Sequence, residues 1–466
     1  MKVRLVALMA VMLVCQSLWL AGCTMIPTRS QQVWRSAIGY EYPSFPVGTP
    51  EFDEALDAYT GSVSHAASSV RLLQNGDEAY PAMLALIEQA TTRISLETYI
   101  VGDDATTDEF FDALRRAAER GVEVRVMADA AGFQRGLIAN LNELAHPNLQ
   151  ARIFNPYFFS WTVVRGNNRD HRKILVVDGH HAVLGGINLS DSQVGDGMTG
   201  WRDTSLLVSG PAAVDAERIF AETWEQAGRG WFGRNTPLAI VNPVKRVVDS
   251  PFIALYEAAG GTPRFVPPDH SPPENPPDLR YDATDASVRV VGSSPDRRNS
   301  AVYDLAILGV LGARERIDIA CAYFVPPLGL RRALLAAAAR GVRIRLLLPK
   351  TTDVKLVREI GMRFYGELLK AGVEIYEWPF PILHSKTMTV DGHLVVVGSA
   401  NMDSRSYFLN YESSLVVTDS VLASRSHADF ENDVRRAHPL TLEEWNERGA
   451  KQRALEIVMT PMAGQY

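Results

Sequence analysis

The chain has 466 residues, of which 46% are hydrophobic and 22% charged, and its formal net charge is −7 at neutral pH. This composition describes an ordinary globular protein of about two domains. The acidic balance weighs against a nucleic-acid partner, because non-specific binding to a phosphate backbone depends on clustered Lys and Arg. It leaves room for an anionic ligand that is held by a local cationic pocket.

Residues 1–22 form the first predicted element, a secretory signal in which two basic residues precede an apolar run from Leu5 to Leu20. The run ends in Leu20-Ala21-Gly22-Cys23, which resembles the bacterial lipobox. The resemblance implies that Cys23 is lipidated and becomes the N-terminus, with a plain membrane anchor or an ordinary cleavable signal as the alternative. We therefore expect a lipid-anchored protein of the cell envelope, on the periplasmic side of the outer membrane if the source is Gram-negative.

The chain then repeats itself after a tether and lead-in over residues 23–66. The first half is predicted over residues 67–235 and the second over 287–445, with a Pro-rich linker over 236–286 and a tail over 446–466. The clearest internal match sets Arg120-Gly121-Val122 against Arg340-Gly341-Val342. In both halves a helix rich in Ala, Leu and Arg closes on the glycine, and a strand follows.

Strands that alternate with helices predict an α/β fold. We expect two similar lobes, each a mixed, largely parallel sheet flanked by helices. If both halves build one site, they must dock as one unit. The predicted architecture is therefore two lobes packed with pseudo-twofold symmetry around one shared active-site cleft.

One pattern, His-x-Lys-x4-Asp-x6-Gly-(Gly/Ser)-x-Asn, occurs once in each half. A chance match is on the order of 10⁻⁷ per start position, which makes two accidental matches untenable. The patterned residues are His171, Lys173, Asp178 and Asn188 in the first copy, and His384, Lys386, Asp391 and Asn401 in the second.

Strand geometry places the His and the Lys of each copy on one face, because residues two apart on a strand project from the same side. Each copy therefore offers an imidazole and an ammonium that point to the same place. Asp178 and Asp391 belong to the catalytic motif but have the opposite parity, and each is followed by glycine in a hairpin-turn signal. We expect these two carboxylates to serve the turn and the scaffold.

The cysteines predict neither a disulfide nor a metal site. Cys15 leaves with the signal and Cys23 is acylated, so that only Cys321 remains, within an apolar run that predicts a buried strand. No Cys/His cluster has zinc spacing. We expect no metal and no other cofactor.

The two motifs resemble the signature of the phospholipase D superfamily, and within it the chain is most similar to bacterial cardiolipin synthases. The stretches that carry the second resemblance are Leu72-Leu73-Gln74-Asn75-Gly76, Glu97-Thr98-Tyr99-Ile100 and Asn401-Met402-Asp403-Ser404-Arg405-Ser406. The superfamily motif is highly specific. The synthase stretches are less so, because related lipases and transferases share the same frame.

The resemblance implies that the two His-Lys pairs face each other across one cleft. A neutral imidazole there attacks phosphorus and becomes a phosphoryl-histidine, while the second imidazole acts as general acid and base. Family precedent assigns the nucleophile to His171 and the acid/base to His384. Lys173, Lys386, Asn188 and Asn401 would bind the non-bridging phosphate oxygens.

Two acidic residues that follow the motifs are candidates for orienting the imidazoles. They are Asp203, in Trp201-Arg202-Asp203, and Glu412, and the alternative for both is an ordinary surface carboxylate. Aromatic residues precede each motif and would suit either lipid contact or packing. These residues are Tyr157, Phe158, Phe159 and Trp161 in the first half, and Tyr376, Trp378 and Phe380 in the second.

The function expected from the resemblance is phosphatidyl transfer through a phosphohistidine, which forms cardiolipin from phosphatidylglycerol and releases glycerol. Phosphatidylethanolamine remains open as a lipid substrate, and the acylated Cys23 would hold the enzyme on a membrane surface. The alternative from another class is a secreted hydrolase of phospholipid, or a phosphodiesterase or nuclease. A non-catalytic lipid-binding protein is the weakest hypothesis, because both motifs are intact.

Overall fold

A computed structural model of the chain describes residues 42–132, 146–155, 168–227, 280–295 and 300–449. The predicted signal, the predicted lipidation site Cys23, most of the Pro-rich linker and most of the tail lie outside these residues. Within them, no helix is both long and apolar enough to cross a membrane.

A helix of the lead-in, α1 (Pro50–Thr60), precedes the first lobe. The first lobe then alternates strands and helices, as its sequence predicts. Its elements are β1 (Ser64–Gln74), α2 (Asn75–Gln89), β2 (Arg93–Thr98), α3 (Ala105–Glu119), β3 (Glu123–Asp129), β4 (Leu149–Phe154), β5 (Ile174–Val177), β6 (His181–Gly185), a 3-10 turn (Asp191–Gln193), β7 (Thr204–Ser209) and α4 (Ala212–Ala227).

The second lobe follows the same plan. Its elements are β8 (Ala283–Ser293), α5 (Ala301–Gly312), β9 (Arg316–Cys321), β10 (Phe324–Val325), α6 (Leu328–Ala339), β11 (Arg343–Pro349), α7 (Lys355–Met362), α8 (Tyr365–Lys370), β12 (Glu374–Trp378), β13 (Lys386–Val390), β14 (Leu394–Gly398), β15 (Met402–Asp403), α9 (Ser404–Phe408), β16 (Glu412–Thr418), α10 (Ser420–Val434), β17 (His438–Leu440) and α11 (Leu442–Glu447).

The described strands of both lobes form one continuous sheet, apart from the short pair β10 and β15. Its order is β17-β12-β11-β9-β13-β14-β16-β8-β1-β7-β6-β5-β2-β3-β4. Reading outward from the central β8–β1 pair, the strands of the two lobes succeed each other in corresponding order. The sheet therefore has the pseudo-twofold symmetry that the internal repeat predicts, and the α/β class with two similar lobes is confirmed.

The pairing differs from the expected predominance of parallel strands. In the described part of the large sheet, parallel pairing is confined to β2–β3, β3–β4, β9–β11 and β11–β12, and the other neighbours are antiparallel. The physical reason is the connection. Helix α3 joins β2 to parallel β3, and α6 lies between β9 and parallel β11, whereas tight turns join the motif strands β5–β6 and β13–β14.

These tight turns are the Asp-Gly turns that the sequence signals. Asp178 and Gly179 have φ angles of 53° and 66°, and Asp391 and Gly392 have 50° and 67°. Two successive left-handed residues are what the type I′ turn of a β-hairpin requires. Each motif therefore turns back on itself directly after its His-Lys strand.

The core divides into one outer cluster for each lobe and an inner cluster between the lobes. The outer clusters pack helices α2 and α3 on the first half-sheet and helices α5 and α6 on the second. In the inner cluster, apolar side chains of β5 to β7 meet those of β14 and β16, because the sheet curls until these strands touch. Helices α4 and α10 line the same space, each in contact with the opening strand of the other lobe. This shared core fixes the lobes relative to each other.

The lead-in also contributes to the fold, which the sequence does not predict. Phe52 and Leu56 of α1 are buried in the outer core of the second lobe. Arg289 of β8 pairs with Asp57 and donates to the carbonyl of Ser62 at 2.7 Å. The segment before the first lobe thus packs on the second lobe.

Candidate functional site

Two short backbone bridges bring the motif segments of the two lobes together. Asp170 pairs with Tyr411, and Arg202 pairs with Leu383. The N–H of His171 donates to the carbonyl of Tyr411 at 3.0 Å, and the N–H of His384 donates to the carbonyl of Arg202 at 2.8 Å. Each motif histidine is therefore held against the residue that directly precedes the opposite lobe's candidate carboxylate.

The carboxylates that bind the imidazoles are exchanged between the lobes. Nδ1 of His171 lies 3.1 Å from Oε2 of Glu412, and Nδ1 of His384 lies 2.6 Å from Oδ2 of Asp203. Both carboxylates are fully buried, which removes the surface-carboxylate alternative for them. Because Nδ1 is engaged in both rings, Nε2 is the nitrogen that each ring has available for chemistry.

The motif position that is Gly in one copy and Ser in the other is explained by these carboxylates. A Cβ at Gly186 would lie 2.1 Å from Oδ1 of Asp203, so a side chain there would displace the carboxylate. At the corresponding position, Ser399 donates its hydroxyl to Oε2 of Glu412. Glu412 also accepts from Asn410 at 3.2 Å, and Asp203 accepts from the N–H of Thr204 at 2.8 Å.

The two motif lysines are buried beside their histidines. The ammonium of Lys173 donates to the carbonyl of His171, and that of Lys386 donates to the carbonyl of His384. Within the described part of the chain, neither ammonium forms an ion pair with a carboxylate. Each lysine therefore keeps donors for an anion that enters the cleft.

Burial dominates the electrostatics of the cationic groups. It lowers the pKa of His171 to about 4 and that of Lys173 to about 7, and it lowers the pKa values of His384 and Lys386 as well. The ammonium of each lobe also lowers the pKa of the other lobe's imidazole. The two His-Lys pairs thus share one electrostatic environment, in which the His171 ring is neutral at neutral pH.

The two carboxylates stay ionised in spite of their burial. Burial by itself would raise their pKa values, but the adjacent imidazole and motif lysine more than offset it. The pKa of Glu412 falls to about 2 and that of Asp203 is also lowered. An ionised carboxylate on Nδ1 stabilises a positive charge that develops on the ring.

Aromatic rings lie against both imidazoles. Tyr99 stands edge-on to His171 with ring centroids 4.9 Å apart, and Trp201 is tilted against His384 at the same distance. The ammonium of Lys173 lies 5.2 Å from the centroid of Tyr99. These rings restrict the motion of the imidazoles and limit the access of water.

The motif aspartates lie at the hairpin turns, as their parity predicts. Asp178 accepts hydrogen bonds from the backbone and hydroxyl groups of Thr91 and Thr92 and from the N–H of Arg93, at 2.8–2.9 Å. Asp391 accepts from three successive backbone N–H groups, those of Arg314, Glu315 and Arg316. Both carboxylates thus tie the turn to the start of the neighbouring antiparallel strand.

The motif asparagines are buried, but their amides differ in their contacts. Oδ1 of Asn188 accepts from the N–H of Ile100 at 2.9 Å and so fixes the loop that carries Tyr99. Oδ1 of Asn401 has no hydrogen-bond partner among the described residues. Phosphate binding by either amide stays a prediction.

Four residues at the site were not given a role from the sequence. Arg172, between His171 and Lys173, is fully buried and donates to backbone carbonyls of Glu412, Ile219 and Ser293 across the lobes. The others are Tyr99, Trp201 and Ser399. A signal for Ser399 was available, because its motif position is the one that varies between Gly and Ser.

Three further sequence expectations concern the aromatic residues, a metal site and Cys321. Trp378 is buried in a cluster with Phe380 and Phe430, which favours packing over lipid contact at that position. The aromatic residues Tyr157, Phe158, Phe159 and Trp161 lie outside the described residues. Among the described residues, no group of three or more His, Cys, Asp and Glu side chains is arranged to hold a metal ion. Cys321 is buried.

The chain is similar to known proteins along most of its length. The family model described as "Cardiolipin synthase, PLD-like domain" matches residues 83–224 and 310–434, and each range contains one His-Lys pair. A cardiolipin synthase of Geobacillus sp. strain WCH70 is 32% identical over 397 residues, which cover 84% of this chain and 71% of that protein. Cardiolipin synthase 2 of Bacillus anthracis is 31% identical over 391 residues, 84% of this chain and 69% of that protein.

A solved structure shows the same fold. The crystal structure of phosphatidylserine synthase from Haemophilus influenzae Rd KW20 superimposes with a TM-score of 0.60 and covers 85% of this chain and 95% of that one. Its sequence identity to the chain is 14%, so this likeness concerns the fold alone.

Proposed function

Since the chain belongs to the phospholipase D-like family of the cardiolipin synthases and is a phosphatidyltransferase, we propose that it forms cardiolipin from two molecules of phosphatidylglycerol and releases glycerol. The observation that carries the proposal is the exchange of carboxylates, which holds both motif imidazoles where the two lobes meet. The relatives named as cardiolipin synthases support the choice of lipid.

The first half-reaction transfers the phosphatidyl group to the enzyme. Nε2 of His171 attacks phosphorus, and the new N–P bond forms as the P–O bond to the glycerol headgroup breaks. His384, protonated on Nε2, gives its proton to the departing glycerol oxygen. Glu412 stabilises the charge on the phosphorylated His171 ring.

The second half-reaction returns the group to a lipid alcohol. A free hydroxyl of a second phosphatidylglycerol gives its proton to the now neutral His384 as its oxygen bonds to phosphorus. The N–P bond to His171 breaks, and His384 is again protonated. Protons and bonds balance over the cycle, so the reaction needs no other reactant.

The lysines supply the positive charge at phosphorus. Lys173 and Lys386 would donate to the non-bridging oxygens, whose charge grows in the transition state. Their burial strengthens this interaction, because the surroundings screen charge weakly. With two ammoniums in this role, we expect turnover to be unchanged by a chelator. A loss of activity that Mg²⁺ or Ca²⁺ restores would contradict this expectation.

The assignment of His171 as the nucleophile rests on family precedent and on its surroundings. A pKa of about 4 keeps its ring neutral and therefore nucleophilic at neutral pH. His384 has the shorter contact to its carboxylate, 2.6 Å against 3.1 Å, which suits a ring that carries a proton during each half-reaction.

The test is the product formed by the purified enzyme from labelled phosphatidylglycerol. Cardiolipin together with glycerol supports the proposal, whereas phosphatidic acid indicates a hydrolase. DNA that is shortened while lipid stays intact would indicate a nuclease. His171→Ala and His384→Ala serve as inactive controls, and Glu367→Gln, at an exposed ion pair with Arg331 on the second lobe, serves as a folded active control. Labelled phosphatidylethanolamine in the same assay shows whether that lipid is also used.

We also propose that Cys23 is acylated and anchors the enzyme in the cell envelope, on the periplasmic side of the outer membrane if the source is Gram-negative. The proposal rests on the lipobox-like stretch that ends at Cys23. Mass spectrometry of the N-terminal peptide from native membranes tests it. An N-terminal lipid-modified Cys23 is expected, and an unmodified Cys23 in the membrane fraction would contradict it.

A further inference from the structure

The active-site end of the second lobe carries an acidic group that the proposed mechanism does not use. Lys386, at the start of β13, lies opposite Cys321, at the end of antiparallel β9. Tyr323 follows two residues later. Asp353 follows the end of β11, which runs parallel to β9. Tyr323 and Asp353 therefore both lie at the strand ends where the second motif begins.

Tyr323 and Asp353 form a preorganised pair. The phenol of Tyr323 donates to Oδ1 of Asp353 at 2.6 Å, and the hydroxyl of Thr352 donates to the same oxygen at 3.0 Å. Thr352 is buried, whereas Asp353 is exposed. Oδ1 thus accepts two hydrogen bonds, and Oδ2 is the oxygen that can accept a hydrogen bond from a ligand.

The charges of the second motif act on Asp353. Partial desolvation of the carboxyl would raise its pKa, but the hydrogen bond from Tyr323 and the charges of His384 and Lys386 lower it. The carboxylate is therefore ionised at neutral pH, and it lies within the electrostatic reach of the second motif. A carboxylate here repels phosphate but is a strong acceptor of hydrogen bonds from hydroxyl groups.

The acid at the end of the corresponding strand of the first lobe has a different role. Asp129, at the end of β3, which corresponds to β11, is completely buried. Its oxygens accept from the N–H groups of Ala131 and Asp170 and from Arg169. That acid holds the segment before His171, and its burial leaves it no exposed oxygen for a ligand.

We propose that Asp353, positioned by Tyr323, binds the free hydroxyl groups of the glycerol headgroup as it leaves and enters beside His384. The inference rests on the proposed transfer reaction and names the group that gives it selectivity for a polyol. A hydroxyl donates to Oδ2 of Asp353, and a neighbouring hydroxyl can accept from or donate to the surrounding polar groups. This would place the reacting oxygen near the imidazole that exchanges its proton.

The experiment measures the choice between two alcohols. Full-length enzyme in mixed micelles receives phosphatidylglycerol as donor with labelled glycerol and 1-propanol as competing acceptors. The ratio of labelled phosphatidylglycerol to phosphatidylpropanol reports hydroxyl recognition independently of overall rate. The variants are Asp353→Ala, Asp353→Asn and Tyr323→Phe, with Glu367→Gln as the matched carboxylate control and thermal unfolding as the check on folding.

We expect Asp353→Ala to lower the glycerol-to-propanol ratio on the order of tenfold, as the loss of a hydrogen bond to a charged group implies. Asp353→Asn should lower it less, because an amide still hydrogen-bonds a hydroxyl, and Tyr323→Phe should lower it about threefold through the looser carboxylate. Glu367→Gln should leave it unchanged.

An unchanged ratio in folded Asp353→Ala overturns the inference and leaves the transfer reaction standing. A second result would also overturn it. If the ratio is unchanged in all three site variants but Asp353→Asn abolishes transfer to ethanolamine, the carboxylate recognises a cation. If the wild-type enzyme transfers the phosphatidyl group to no alcohol at all, the proposed function itself fails.

Discussion

The two motif histidines occupy corresponding positions in a repeated fold, yet their surroundings are not the same. His171 lies 3.1 Å from Glu412, a carboxylate that also binds Ser399 and Asn410, and Tyr99 stands at its edge. His384 lies 2.6 Å from Asp203, whose other oxygen accepts a backbone N–H, and an indole covers its ring.

The difference fits the proposed roles of the two motifs, with His171 as the nucleophile and His384 as the general acid and base. Glu412 shares its charge among three donors, which weakens its hold on His171 and leaves that imidazole free to act as a nucleophile. Asp203 concentrates its charge on His384, which favours a ring that repeatedly gains and loses a proton. Duplication supplied two similar sites, and the residues around the carboxylates made them unequal.

Removal of the imidazoles gives the largest expected effect. His171→Ala and His384→Ala should each lower kcat on the order of 10⁵-fold, since each removes a group that the others cannot replace. With a phosphatidyl ester of a good leaving group, His384→Ala should accumulate an adduct on His171, and His171→Ala should accumulate none. Peptide mass spectrometry locates the adduct, and one found only on His384 would reverse the assignment.

Neutralising the exchanged carboxylates should have the next largest effect. Asp203→Asn and Glu412→Gln should each lower kcat by roughly 10³-fold, because an amide leaves the imidazole poorly oriented and its charge unstabilised. Ser399→Gly, which copies the first motif into the second, should cost about tenfold through the loss of one hydrogen bond to a charged group. If Ser399→Gly matches Glu412→Gln in effect, the hydroxyl and not the carboxylate governs His171.

The pH profile should show the unequal cationic groups. The value of kcat/KM should rise as pH passes about 4, where His171 becomes neutral, and fall above about 7, where Lys173 loses its proton. Lys173→Arg should remove the fall near pH 7 in whatever activity it retains, because a guanidinium stays charged. Persistence of that fall in Lys173→Arg would assign it to another group.

The smallest effect on turnover is expected at the hairpin turns. Asp178→Ala should lower the free energy of unfolding by about 2–3 kcal/mol, because it strands several donors, and Asp391→Ala should cost less because it serves fewer. The pKa of Asp178 is lowered by its hydrogen bonds, so its contribution is present above the pKa of an unfolded aspartate and is lost as pH falls through the lowered value. Denaturant titrations at several pH values, with kcat measured on the folded fraction, provide the check.

Much of the site could be predicted from local pattern. The parity of a strand put each His and Lys on one face and each motif Asp on the other, and the Asp-Gly pairs predicted the turns that the structure has. These inferences succeeded because they depend only on neighbours in the chain. The same locality explains the failure over strand direction, since the alternation with helices was given more weight than the hairpins beside the motifs.

What the sequence could not predict depends on long-range contacts. Glu412 and Asp203 were candidates, but no local feature indicates that each orients the histidine of the other lobe. The docking of α1 on the second lobe and the bonds of Arg172 across the lobes are equally invisible, because each joins residues that are far apart in the chain. From the sequence alone, Arg172 would be taken for a surface charge, because the carbonyl groups that it binds are not apparent there.

The backbone bridges Asp170–Tyr411 and Arg202–Leu383 have a consequence for how the enzyme tolerates change. Each bridge lies beside the contact between one histidine and the carboxylate of the other lobe. A rotation between the lobes would therefore misalign the proposed nucleophile and the proposed proton donor together. Disruption of the contact between the lobes should therefore abolish both half-reactions, and neither lobe alone would catalyse one of them.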